Sequence, residues 1–270
     1  MHIKPFIYVL LCGGLLGVLA CTSQPQGHCQ VAQKLGEAHF AVYTPLTPME
    51  GAACADKELK AERIGFETYQ LPGQSQIGIA WRTETLQQRF DAAVEAHVWS
   101  AEKAQEESIS LNVVADYSSK PDAENRCYVF DDNNPADPRS FGLVKEFVDD
   151  GVSPTTTYVY EWRDVVVYSL PASPGQLVEG EVSYSMREEG GSTCTGVYSF
   201  VALWPAYGCN SDEDCEPSVR GQAGSPINPD FAGSLQCHLL KAVEGLPKEE
   251  KAGYCTIVGS AEALIQKLAE

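Results

Sequence analysis

TTYVYEWRDVVVYSL (Thr156–Leu170), LVEGEVSYSMR (Leu177–Arg187) and CTGVYSFVALW (Cys194–Trp204) are the three runs that decide the fold. Each is rich in β-branched and aromatic residues, and turn-formers divide them: Pro171-Ala-Ser-Pro-Gly and Glu188-Glu-Gly-Gly-Ser. Strands joined by such short connections pair antiparallel, so the stretch reads as a meander. Along the first run Tyr158, Tyr160 and Trp162 share one face by the period of two, with Tyr184 and Tyr198 on the neighbouring runs. Such a face can stack on sugar rings, but cross-strand packing in a core is the commoner use.

Working back from there, Ala38 to Thr44, Arg63 to Leu71, Ser75 to Arg82 and Ile109 to Tyr117 are further strand candidates, and Pro72-Gly73 makes a hairpin of the second and third. Leu86, Phe90, Val94 and Val98 recur every fourth residue, and Thr85 with Gln88 offers a capping box, which predicts one internal helix over residues 85–98. Residues 118–154 are dense in turn-formers and acids and read as a long, partly irregular connection with one strand-like island, Cys127 to Phe130. After Pro205 strand signals are weak until Tyr254 to Val258, and Ser260 to Ala269 has the cap and the Leu264, Ile265, Leu268 stripe of a short helix. The expected class is mainly β (α+β): an antiparallel sheet, sandwich or barrel-like, with one internal helix and a disulfide-stapled C-terminal segment. The expected divisions are a signal peptide over residues 1–20, a tether over 21–28, a β-rich domain over 29–205 and a cysteine-rich segment over 206–270.

The leader fixes the compartment. Lys4 precedes an apolar run, Phe6 to Leu19, that ends Val18-Leu19-Ala20-Cys21. A spanning helix wants about 20 apolar residues, and this run is shorter and broken by Gly13, Gly14 and Gly17. It resembles the lipobox of bacterial lipoproteins. The resemblance implies cleavage before Cys21, a diacylglyceryl group on its sulfur, an acylated new amino end, and a membrane partner reached through lipid rather than through a span. In cells with two membranes an aspartate after the lipidated cysteine favours inner-membrane retention; Thr22 stands there, which points to the outer membrane.

Ten cysteines fit an oxidising compartment. Cys12 leaves with the leader and Cys21 takes lipid, so Cys29, Cys54, Cys127, Cys194, Cys209, Cys215, Cys237 and Cys255 remain as disulfide candidates. Three precede residue 150 and five follow it, so full intrachain pairing requires at least one bridge between the halves. If the last four close on themselves, Cys194 must pair with Cys29, Cys54 or Cys127. The sequence has no C-x-x-C pair, and no metal or other cofactor is expected.

A second resemblance rests on the lipobox, Arg63-Ile-Gly-Phe-Glu-Thr-Tyr, Cys194-Thr-Gly-Val-Tyr with Leu203-Trp204-Pro205, and Cys209-Asn-Ser-Asp-Glu-Asp-Cys215. Together they are similar to uncharacterised cysteine-containing lipoproteins of myxobacterial type, and the last element to cysteine-rich repeats in which it is structural. No activity follows from the likeness.

The chemistry is thin. The net charge of −18 opposes nucleic acid as a partner and suits a cationic one. Counting an EF-hand loop from Asp212 puts Pro217 where glycine is required. A non-EF calcium site using Asp131, Asp132 and Asp137, or Asp149 and Asp150, is open, though acids clustered in turns are usually only solvated. G-x-S-x-G and H-E-x-x-H are absent, and His28, His39, His97 and His238 lie apart. The reading is a lipid-anchored envelope protein with a structural or binding role and no catalytic residue, whose protein or glycan partner the sequence does not name. The alternative is a carboxylate-dependent hydrolase of envelope polysaccharide, marked by a groove with aromatic walls and two facing acids. A third is ligand binding inside a barrel.

Overall fold

The computed structural model describes residues 27–269, apart from residues 35, 52, 71–76, 97–99, 135, 148–154, 172, 219–223 and 241–249. The leader, Cys21, the Pro72-Gly73 turn, His97, Val98, Asp149 and Asp150 therefore lie outside the described residues.

The nine strands β1 (His39–Thr47), β2 (Ala61–Gln70), β3 (Ile77–Thr83), β4 (Val113–Tyr117), β5 (Arg126–Phe130), β6 (Ser140–Phe147), β7 (Thr156–Ser169), β8 (Pro174–Glu188) and β9 (Cys194–Leu203) form one sheet. Its order is β5-β4-β3-β2-β1-β9-β8-β7-β6, every pairing within it is antiparallel, and β5 also pairs with β7. That last pairing closes a ring and makes the sheet a barrel. The first half of β7 pairs with β6, and its second half, Val166 to Tyr168, takes β5 on the same edge.

The alternation of side chains explains both faces. Tyr158, Tyr160 and Trp162 point inward with Trp81, Phe141, Tyr184, Tyr198 and Phe200 and are all buried, so the aromatic face is core. Trp162 meets Trp81 edge-on at 5.8 Å and Phe200 edge-on at 5.1 Å. Past Trp162 the inward positions become Val165 and Val167, three residues on rather than two. The shift is a β-bulge between Arg163 and Val166, where Asp164 sits at φ +50°. Gly180 faces it from β8, and a Cβ there would come within 3.1 Å of the Arg163 carbonyl oxygen and of Val165 Cα. The bulge turns Val166 and Tyr168 outward, where they join Leu177 and Leu203 in a second apolar cluster on the outside of the barrel.

That outer cluster is covered by the C-terminal segment, which leaves β9 through a cis Trp204–Pro205 peptide. It forms a three-stranded sheet of β10 (Gly208–Cys209), β11 (Leu235–Leu239) and β12 (Gly253–Ile257), with order β10-β12-β11. Outward-facing Phe40 of β1 stacks on Tyr254 of β12 at 4.7 Å.

Three helices are described, α1 (Glu84–Glu95), α2 (Ala101–Ser110) and α3 (Ala261–Ala269). The expectation of a single internal helix is corrected by α2, a polar stretch without the fourfold apolar repeat that marks α1. The start of α1 is corrected too. Its cap is Thr83, whose hydroxyl accepts from the Leu86 amide at 3.4 Å, because β3 runs straight into the helix and the Thr85 amide is taken by Glu62. The stretch expected to be irregular holds a whole strand, β6. Phe141 and Phe147 are buried on its inner face, and Lys145, part-buried on the same face, has its ammonium 3.0 Å from Glu107 of α2.

Candidate functional site

The cysteines pair as Cys29–Cys127, Cys54–Cys194, Cys209–Cys237 and Cys215–Cys255. The first fastens the N-terminal segment to β5, and the second ties the β1–β2 loop to the start of β9. The last two sit together, with the sulfurs of Cys209, Cys215 and Cys255 mutually within 4.8 Å. These sulfurs are spent in disulfides, so thiolate coordination there would first need reduction.

The acids of the Cys209–Cys215 loop are hydrogen-bond acceptors of the fold. Asp212 Oδ1 accepts from the Cys237 amide at 2.7 Å, and Asp214 Oδ2 accepts from the Asn210 amide at 2.8 Å and from Lys251 Nζ at 3.1 Å. Those contacts hold the Asp214 carboxyl below the usual carboxylate range. Among the described residues the carboxylates of Asp131, Asp132 and Asp137 do not converge as ligands of one ion: Asp137 pairs with Arg163 at 2.8 Å, and Asp131 accepts from the Asn133 amide at 2.9 Å.

The barrel buries an imidazole and a carboxyl, those of His39 and Glu62. His39 is 1% exposed, and burial lowers its pKa to about 4. Its Nε2 lies 3.1 Å from the Gly175 carbonyl, which only accepts, so Nε2 carries the proton of a neutral ring. Glu62 is 7% exposed, accepts from Tyr43 Oη and from the Thr85 amide at 2.9 Å each, and is pushed upward in pKa by burial. It links β2 to the first turn of α1, where the helix dipole favours a carboxylate. Its signal was in the sequence, since Glu62, Ile64 and Phe66 share one face of β2.

A groove of about 620 Å³ lies between the barrel wall and the C-terminal unit. Thr44, Asp164, Glu179, Glu181 and Ser199 line it from the barrel, and Gln236, Thr256 and Ser260 from the opposite side. Glu179 accepts from Tyr168 Oη and from the Ala261 amide at the start of α3, and burial raises its pKa. Asp164 lies 3.4 Å from Arg139. The groove thus sets hydroxyls, an amide and carboxylates beside the apolar side chains of Val42, Phe200, Val201 and Ile257. Neither Trp nor Tyr lines it. No sequence period could have assembled these residues, because the groove exists only where the two units meet.

A family model, MlpA, matches residues 37–205, which run from the start of β1 to the end of the barrel. Among known proteins, a candidate lipoprotein named MlpA from Myxococcus xanthus is 27% identical over 240 residues, covering 87% of each chain. No solved structure matches.

Proposed function

The chain belongs to the MlpA family, and from that membership together with the leader we propose that it is a lipoprotein of the cell envelope, held by an acylated Cys21, with a structural or binding role. The similar Myxococcus xanthus protein carries a lipoprotein name, and no helix among the described residues is long and apolar enough to cross a membrane. The observation that carries the reading is local: Cys29, eight residues after Cys21, is cross-linked to Cys127. An oxidised body directly behind a cleavable leader is what an exported, tethered protein requires. Thr22 favours the outer membrane where there are two.

The role is binding or scaffolding without a cofactor, and the groove beside α3 is the place for a protein or glycan partner. Burial of Tyr158, Tyr160 and Trp162 removes the aromatic platform that a polysaccharide hydrolase would present. No observation favours that second reading.

The test is Cys21→Ala. The variant should lose fatty-acid labelling and recovery with membranes while the folded body stays oxidised. Continued labelling and membrane recovery would refute the anchor.

A further inference from the structure

We infer that the barrel stands on the bilayer by one pole, that of the β4–β5 and β7–β8 turns, with the pole of α1 and α2 facing away; this rests on the reading of Cys21 as the lipidated residue. The segment from His28 to Ala32 is fastened at several points. The Cys29 amide donates to the Ser119 carbonyl at 3.2 Å, Ser169 Oγ donates to the His28 carbonyl at 3.2 Å, and the Ala32 amide donates to the Gly175 carbonyl at 2.9 Å. Cys29 is cross-linked to Cys127 besides. Ser119 lies in the β4–β5 turn, and Ser169 and Gly175 flank the β7–β8 turn, so all these fastenings belong to one end of the barrel.

Lengths then decide the orientation. The seven residues from Thr22 to His28, fully stretched, reach only about 25 Å. The barrel is taller. β7 has 14 residues, which at roughly 3.3 Å each and a strand tilt near 40° span about 35 Å along the axis. A lipid on Cys21 therefore cannot reach a bilayer lying against the far pole, and the inverted arrangement is out of range.

The groove inherits a direction. Phe40 pairs with Leu203 near the fastened pole, where the C-terminal unit seals the wall, and Thr44 pairs with Ser199 farther along the same strands, where the polar part of the groove lies. Its polar part is thus on the side away from the lipid, within reach of a partner in the aqueous space.

The test uses the full, lipidated protein in phosphatidylcholine vesicles that carry spin-labelled head groups. A fluorophore is attached through a non-natural amino acid at exposed Ala123 in the β4–β5 turn or, in a separate sample, at exposed Ser192 in the β8–β9 turn. The expected result is loss of most of the emission at position 123 and little loss at position 192. Equal quenching, or the reverse order, in protein that floats with the vesicles overturns the orientation while leaving the anchor intact. Failure of both samples to float refutes the anchor and the orientation with it.

Discussion

His39 and Glu62 give the barrel two pH dependences of opposite sign. His39 is neutral when folded, with a pKa of about 4, and takes a proton in the unfolded chain near 6.5. Its contribution is complete above 6.5 and is lost as pH falls from 6.5 towards 4, by about 3 kcal/mol in all. Glu62 works the other way. Its folded pKa lies above 4.5, so the unfolded chain releases that proton first, and stability declines as pH rises from 4.5 through the folded value. Urea denaturation at stepped pH should show His39→Gln flattening the limb between 6.5 and 4. Glu62→Gln, which keeps an acceptor for the Thr85 amide, should flatten the decline that begins at 4.5. If neither variant changes its slope, the two side chains are not buried as described.

Among the elements, the β1–β2 loop and the start of β9 are held by a bridge whose ends are 140 residues apart in sequence. Removing it as Cys54→Ala with Cys194→Ala should cost about 2–5 kcal/mol, whereas the α1 cap variant Thr83→Ala should cost about 1 kcal/mol. Chemical denaturation of the two proteins measures both, and a smaller loss for the disulfide variant would show that the loop is held by its packing. The elements also show what could be read in advance. The meander of β7, β8 and β9 was legible because each strand buries one clean face, and α1 because Leu86 and Phe90 recur at helical spacing. β6 was hidden by Gly142 and by Lys145, whose charge is met by Glu107 of a helix the sequence barely signals. α1 began earlier than Thr85 suggested because Glu62, distant in sequence, takes that residue's amide. Local pattern speaks where one face decides burial, and it fails where a partner from elsewhere in the chain satisfies a polar group.

At the scale of the molecule, one closed barrel with a filled aromatic interior carries a disulfide-stapled unit on its outer wall, and the surface between them holds the candidate groove. The groove residues were not legible as a set, since Glu179 and Ser260 come to one groove only through docking of α3 against β8 and of β12 against β1 and β9. The proposed anchor is covalent: a body in which the eight cysteines from Cys29 to Cys255 are paired would hang from an acylated Cys21, eight residues before the first of them. The direct measurement is mass analysis of the membrane-extracted protein after alkylation without reduction. The account predicts a chain that begins at Cys21 with diacylglyceryl and acyl groups, and no alkylation at Cys29, Cys54, Cys127, Cys194, Cys209, Cys215, Cys237 or Cys255. A chain that retains Met1 and carries alkylated thiols at these positions would contradict it.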